Sequence, residues 1–194
     1  MTQRPPIVLA SSSAHRRDLL RRLLPSFDYV APAVDESAEP REAPDALARR
    51  LGELKARSVA AGRPEAIVIG GDQVPVLDGK PLKKPGDRNN AIRQLTACSG
   101  RTVRFLTAVT VIAPGRRAEH GLDNTIVRFR TLNPATIERY IDAERPFDCA
   151  GSFKAEGLGI ALFESIETSD PTALQGLPLI WLTACLNRFG IDLP

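Results

Sequence analysis

Cysteine, histidine and aromatic side chains are scarce in this chain of 194 residues. Its three cysteines and two histidines are too few and too widely spaced for a disulfide framework or a zinc site, so we predict reduced thiols. No Gly-x-Ser-x-Gly motif occurs, which argues against a serine hydrolase. Aromatic residues make up 5% of the sequence, which gives little support for a base-stacking surface, and we predict no stable binding of nucleic acid. The cysteines are Cys98, Cys149 and Cys185.

Long apolar runs are also missing. No uncharged run approaches the roughly 18 apolar residues that indicate a transmembrane helix. The segment "MTQRPPIVLASSS" has only four apolar residues in a row before polar serines, too short for the apolar region of a secretory signal. We therefore predict a cytoplasmic protein with no membrane partner.

What the chain does contain is typical of a globular α/β protein. Its residues are 43% hydrophobic and 25% charged, and the length suits one domain, or two lobes that share a core. A formal net charge of +3 is spread along the chain, which permits an anionic ligand. Short apolar runs alternate with segments of helical spacing, and two β-branched runs flank Pro114-Gly115 as in a hairpin. We predict a mixed sheet with flanking helices.

Two segments combine basic residues with the ends of predicted elements. In "LASSSAHRR" a strand is followed by serines and then by arginines in the first turn of a helix, a pattern that fits phosphate binding or simply a well-capped helix with solvated arginines. In the helix predicted from Pro44 to about Ala61, Lys55 lies at the edge of the apolar stripe. A lysine there either extends to water or enters a cleft to meet an acid or a phosphate.

Acidic residues follow two of the predicted strands. Asp35 and Glu36 lie in a loop after a strand, which is a usual place for site residues, although an acidic surface turn explains them as well. Asp72 and Gln73 follow the apolar run Ala66–Ile69 and two glycines that would let a ligand approach the backbone. Asp72 is a candidate for holding a metal or accepting a proton, and the alternative is a strand end with an Asx-type turn.

A glycine-rich stretch, "FDCAGSFKAEGLGIALF", carries Lys154 and Glu156 and lacks the spacing of a dinucleotide-binding or Walker loop. We predict a loop and a strand there. Across the chain, carboxylates occur with lysines and arginines at element ends. That combination favours Mg²⁺-dependent chemistry on a phosphorylated small molecule.

At these residues the sequence resembles the Maf family of nucleoside triphosphate pyrophosphatases over essentially its whole length. The matching motifs are "LASSSAHRRDLL", "VDE", Lys55, "GGDQ", "KKP" and "CAGSFKAEGLGIALFESIETSDPTALQGLPL". The chain departs from the usual pattern with Ala14 in place of a proline, His15 in place of an aromatic residue, and Lys83 in place of a glycine. Gln73 and the Phe-Lys-x-Glu-Gly segment resemble the subgroup that hydrolyses 7-methyl-GTP.

The resemblance implies a fold, a reaction and a set of site residues. Residues 1–194 would form a single Maf-like domain of ITPase-like α/β fold, with two lobes around one cleft, a divalent cation (Mg²⁺ or Mn²⁺) and usually a homodimer. Water would cleave between the α- and β-phosphates, with Asp72 as proton acceptor and Glu36 helping to hold the metal, so that the metal residues are Glu36 and Asp72. The implied catalytic residues are Asp72, Glu36, Lys55 and Lys84, and the implied substrate contacts are Ser11, Arg16, His15, Gln73, Lys154 and Glu156.

The substrate remains a choice among related nucleotides. Glu156 and Gln73 suit guanine, because a carboxylate can accept hydrogen bonds from the base N1–H and 2-amino group. The alternatives are a pyrophosphatase for dTTP, UTP or other non-canonical nucleotides, and a non-catalytic nucleotide-binding regulator of cell division.

Overall fold

The computed structural model describes residues 5–194, and within this range seven strands belong to one sheet in the order β2-β1-β3-β5-β6-β7, with β4 paired to β3. Strand β1 is parallel to both β2 and β3, whereas β4 on β3 and β7 on β6 are antiparallel. The predicted mixed sheet is therefore confirmed. The strands are β1 (Ile7–Ala10), β2 (Asp28–Val30), β3 (Ile67–Leu77), β4 (Lys80–Pro81), β5 (Thr102–Ile112), β6 (Glu119–Phe129) and β7 (Phe163–Glu167).

Five α-helices lie in the described range, and most begin at the residues that the sequence indicates. The side chains of Ser13, Asp87 and Asn133 cap three of them by accepting backbone N–H groups, while Pro44 opens another. None of the helices between residues 5 and 194 is long and apolar enough to cross a membrane. The helices are α1 (Ala14–Arg21), α2 (Pro44–Ala60), α3 (Arg88–Cys98), α4 (Pro134–Glu144) and α5 (Leu179–Arg188).

The chain folds as two compact units. The first unit comprises Met1–Gln73, Thr107–Asp123 and Asp170–Pro194, and the second comprises Val74–Leu106 and Asn124–Ser169. In the first unit, aliphatic side chains from β1, β3, β5, α1 and α5 form a continuous core. In the second unit, four phenylalanines meet edge to face with ring centroids 4.9–5.9 Å apart, a favourable geometry for aromatic pairs. These rings are Phe105, Phe129, Phe153 and Phe163.

Strand β3 corrects one expectation from the sequence. We predicted a strand that ends at Ile69, with Asp72 at its end, but β3 continues through the glycines to Leu77. The β-branched pair Val74 and Val76 sustains the strand beyond the glycines. The turn comes later, at Asp78-Gly79, where both residues have positive φ, as a tight hairpin turn requires. Asp72 is therefore a buried residue in the middle of a strand.

The first glycine of "IGGDQ" is explained by packing within the first unit. A Cβ atom on Gly70 would lie 2.5 Å from the backbone nitrogen of Ala56 and 2.6 Å from the carbonyl oxygen of Gly52, both on α2. These distances are far shorter than real Cβ contacts, so α2 lies directly against the backbone of β3 at this point. Room for a substrate, which we expected from both glycines, does not explain Gly70.

Replacing Gly70 by alanine should therefore destabilise the first unit. We expect Gly70→Ala to lower the free energy of unfolding by about 2 kcal/mol, because the added methyl group meets main-chain atoms that cannot move individually. Gly62→Ala is the matched control, since a Cβ there has nothing closer than 3.8 Å. Chemical denaturation of both variants tests the prediction, and equal midpoints would contradict it.

Candidate active site

Three charged side chains of the first unit form a compact ionic cluster. The ammonium nitrogen Nζ of Lys55 lies 2.7 Å from Oδ1 of Asp72 and 2.9 Å from Oε2 of Glu36. The side chains of Lys55 and Asp72 are only 7% and 10% exposed, whereas that of Glu36 is 57% exposed. Lys55 thus meets an acid, as one of the two sequence interpretations expected, and it links a buried carboxylate to an exposed one.

The local fold explains why these residues meet. Lys55 projects from α2 and Asp72 from β3. The two elements pack closely because Gly52 of α2 lies against Gly70 of β3. A Cβ on Gly52 would itself lie 3.5 Å from the backbone nitrogen of Asp72. The glycines therefore set a helix-to-strand distance at which a lysine side chain can reach the carboxylate.

Arg16 adds a second cation to this part of the first unit. It lies in the first turn of α1, and its Nε donates a hydrogen bond to the carbonyl oxygen of Gly176 at 2.9 Å. Burial lowers the pKa of Arg16 below its usual value, and the negative charges of Asp72 and Glu36 counteract this effect. Two cations and two carboxylates thus share one electrostatic environment.

The serines before α1 have structural roles. Ser13 caps the helix by accepting the backbone N–H of Arg16 at 3.4 Å. Ser11 is buried, and its Oγ accepts the backbone N–H of Ser13 at 3.1 Å. His15 is exposed. The helix cap is therefore confirmed, but Arg16 is not a solvated arginine, because it is partly buried and hydrogen-bonded to Gly176. Phosphate binding by Ser11, His15 and Arg16 stays a prediction.

Gln73 is held by contacts that the sequence did not predict. Its amide nitrogen Nε2 lies 3.0 Å from the hydroxyl of Thr107 and 3.0 Å from the carbonyl oxygens of Ala173 and Leu174. The two amide hydrogens are thus directed to acceptors of the protein itself. No sequence signal indicated these partners, because two of them are backbone carbonyls.

The other predicted site residues belong to the second unit. Lys84 and Glu156 are exposed. Lys154 is tied to the end of α4, because its Nζ donates to the carbonyl oxygen of Glu144 and its backbone N–H donates to the hydroxyl of Tyr140, both at 2.9 Å. Roles for Lys84, Lys154 and Glu156 at the same site as Asp72 stay predictions.

The donor set of the ionic cluster is compatible with a divalent cation. Mg²⁺ usually takes one or two protein carboxylates and completes its shell with water and substrate phosphates, and Glu36 and Asp72 supply two. Among residues 5–194, no three His, Cys, Asp or Glu side chains gather into a metal-binding group. A cation held by this pair would therefore rely on phosphate oxygens and water for its remaining ligands.

Thiol chemistry does not contribute to this site. All three cysteines are free, and Cys98 and Cys185 are buried. Burial raises the pKa of each thiol to about 12. None of them is a thiolate at neutral pH, and the thiolate is the nucleophilic form.

Comparison with known proteins identifies the family. The model of the "Maf-like protein" family matches residues 6–189. The chain belongs to the Maf family. Its relatives include proteins named "7-methyl-GTP pyrophosphatase" from Xanthomonas oryzae pv. oryzae strain MAFF 311018, 58% identical over 98% of this chain and 100% of that protein, and from Bordetella pertussis, 52% identical over 97% and 94%.

A relative of the same name from Alcanivorax borkumensis is 50% identical over 99% of this Maf chain and 98% of that protein. Among solved structures, the Ham1 protein of Staphylococcus aureus matches with a TM-score of 0.48 and 15% identity over 79% of this chain and 89% of that one. That likeness is too weak to add to the family match.

Proposed function

We propose that this Maf-family chain hydrolyses 7-methyl-GTP to 7-methyl-GMP and diphosphate. The observation that carries the proposal is the near full-length identity of 50–58% to relatives named for this activity. The ionic cluster of Lys55, Asp72 and Glu36, with Arg16 in the same electrostatic environment, supports it, because two cations beside a buried carboxylate suit a triphosphate and a reacting water.

The proposed reaction is the attack of water on the α-phosphorus. As the new P–O bond forms, the bond from the α-phosphorus to the oxygen that bridges to the β-phosphate breaks, and diphosphate leaves. Asp72 accepts the proton of the attacking water. Lys55 and Arg16 neutralise phosphate charge, and Lys84 is proposed to do the same.

A divalent cation bound by Glu36 and Asp72 would polarise phosphate oxygens and neutralise their charge. If Glu36 bound such a cation in place of Lys55, Asp72 would still have Lys55 as a partner, because Nζ lies 2.7 Å from its Oδ1. The difference in exposure between the two acids supports different roles for them, with Glu36 mainly binding the cation and Asp72 also accepting the proton. The side chain of Glu36 is 57% exposed and open to solvent, whereas that of Asp72 is 10% exposed and is held by Lys55.

Ser11, His15, Gln73, Lys154 and Glu156 are proposed to contact the nucleotide. For Gln73 this contact would use the carbonyl oxygen, because the amide nitrogen already faces Thr107, Ala173 and Leu174. Glu156 is proposed to accept hydrogen bonds from the guanine edge. A homodimer remains a prediction from the family resemblance, and a cytoplasmic location remains a prediction from the sequence composition.

A substrate panel tests the proposal. We expect diphosphate release from 7-methyl-GTP with a higher kcat/KM than from GTP, UTP or dTTP, and loss of turnover when a chelator removes Mg²⁺ or Mn²⁺. A preference for UTP or dTTP would assign the chain to the other nucleotide specificity. No turnover with any of the four nucleotides would favour a binding protein without catalysis.

A further inference from the structure

One loop of the first unit contacts two of the proposed substrate residues. Residues 170–178 connect to the start of α5, and three backbone carbonyls of this loop accept hydrogen bonds from the site. Gly176 accepts from Nε of Arg16 at 2.9 Å, while Ala173 and Leu174 accept from Nε2 of Gln73 at 3.0 Å. The orientation of both side chains therefore depends on the course of this loop.

The loop takes its shape from two buried polar side chains, Asp170 and Thr172, which are 3% and 7% exposed. Oδ1 of Asp170 accepts the backbone N–H of Thr172 at 2.9 Å and lies 2.6 Å from the Thr172 hydroxyl. Oδ2 of Asp170 accepts the backbone N–H of Ile180 at 2.7 Å. A single carboxylate thus ties the start of the loop to the first turn of α5.

The Thr172 hydroxyl holds the C-terminal end of the loop. Its hydroxyl accepts the backbone N–H of Leu179 at 2.9 Å and also lies 2.9 Å from the carbonyl oxygen of Leu177. Because a hydroxyl has one hydrogen, it donates to Leu177 or to Asp170 at any moment. The loop between Thr172 and Leu177 is held at both ends, and the carbonyls that face Arg16 and Gln73 lie between them.

Gly176 makes the contact with Arg16 possible. It has a φ of 115°, a conformation that favours glycine. A Cβ at this position would lie 3.4 Å from Nε of Arg16. The loop therefore presents a bare peptide group to the guanidinium, and the two terminal nitrogens of Arg16 remain the ones suited to gripping a phosphate.

We propose that Asp170 and Thr172 are positioning residues, which act on the substrate through the backbone carbonyls that orient Arg16 and Gln73. The kinetic test of this proposal rests on the proposed function, whereas the structural test does not depend on it. If these residues only stabilised α5, their loss would lower stability without changing the orientation of Arg16.

The kinetic test compares Thr172→Val, which removes the hydroxyl, with Thr172→Ser, which keeps it. We expect Thr172→Val to raise KM for 7-methyl-GTP by about 10-fold, which is the loss of affinity expected when one charge-assisted hydrogen bond is lost. The kcat should change by less than about 3-fold. Thr172→Ser should remain within about 2-fold of the original KM. In Asp170→Asn only one of the two side-chain positions can accept a hydrogen bond, so this variant should also raise KM. It replaces Thr172→Val in the test if Thr172→Val does not fold.

A destabilised core variant separates positioning from general loss of stability. Leu24 is 6% exposed in the core of the first unit, and its aliphatic side chain cannot hydrogen-bond to Arg16 or Gln73. Leu24→Ala should lower Tm while KM stays unchanged. A rise of KM in Leu24→Ala equal to that in Thr172→Val, or an unchanged KM in both Thr172→Val and Asp170→Asn, would overturn the proposal.

The structural test needs no substrate. In the ligand-free protein, NMR measures exchange of the Arg16 Nε–H with water, assigned by its disappearance in Arg16→Lys. We expect exchange at least about 10-fold faster in Thr172→Val and Asp170→Asn than in the original protein or in Leu24→Ala. Equal exchange rates in all four would overturn the proposal. If the original protein released no diphosphate while this difference appeared, the proposed function would fail and the positioning role would stand.

Discussion

Asp72→Asn should remain folded and lose about 10²–10⁴-fold in kcat for diphosphate release, the usual contribution of a general base. Asparagine has nearly the same shape and keeps an oxygen that can accept the 2.7 Å hydrogen bond from Lys55. It cannot accept a proton from water at neutral pH. The change therefore removes the proposed chemical role and preserves most of the local packing.

The measurement is steady-state kinetics on 7-methyl-GTP, with Tm measured on the same samples. Asp28→Asn provides the control, since this carboxylate lies on the neighbouring part of the sheet, in β2, and pairs with Arg63 on the surface at 3.4 Å. Its kcat should be unchanged. If Asp72→Asn retained turnover within about 10-fold of the original protein, a base other than Asp72 would have to accept the proton.

Much of the framework around Asp72 could be predicted from the sequence because it depends on local signals. Helix starts follow from side chains that cap their own first turn, such as Ser13 and Asp87. The apolar stripe of α2 placed Lys55 at its edge, which correctly limited its options to solvent or a polar partner. These inferences use residues within a few positions of one another.

The length of β3 was predicted wrongly for a physical reason. Two consecutive glycines usually weaken a strand, but here Gly70 pairs in register with Ala10 of β1 and lies against α2. Tertiary packing therefore outweighs the local preference. The Asp78-Gly79 turn was visible in the sequence and would have indicated the true end of the strand.

The partners of Arg16 and Gln73 could not be predicted from the sequence. Arg16 contacts Gly176, 160 residues away, and Gln73 contacts Ala173, 100 residues away. Neither carbonyl is distinguished by its side chain, because any residue carries a backbone acceptor. Only the fold shows which carbonyls meet these side chains, and it is there that the roles of Asp170 and Thr172 become visible.

Removing the positive charge of Lys55 should have the largest effect on stability among the proposed substitutions. We expect Lys55→Met to lower the free energy of unfolding by about 3–5 kcal/mol, because Asp72 is left buried without its ion-pair partner. For a chain of this size that loss corresponds to a fall in Tm on the order of 10 °C. Arg16 still attracts Asp72 in the variant, which keeps the loss toward the lower part of this range.

The double variant separates the charge from the packing of the lysine chain. If the penalty arises from an uncompensated carboxylate, adding Asp72→Asn to Lys55→Met should raise Tm above that of Lys55→Met alone, although each single change lowers it. Arg57→Met on the same helix is the control, because its pair with Glu53 is exposed, and such a pair contributes about 0.5 kcal/mol or less. A double variant less stable than Lys55→Met would show that the lysine stabilises the fold through its hydrocarbon chain and not through the pair with Asp72.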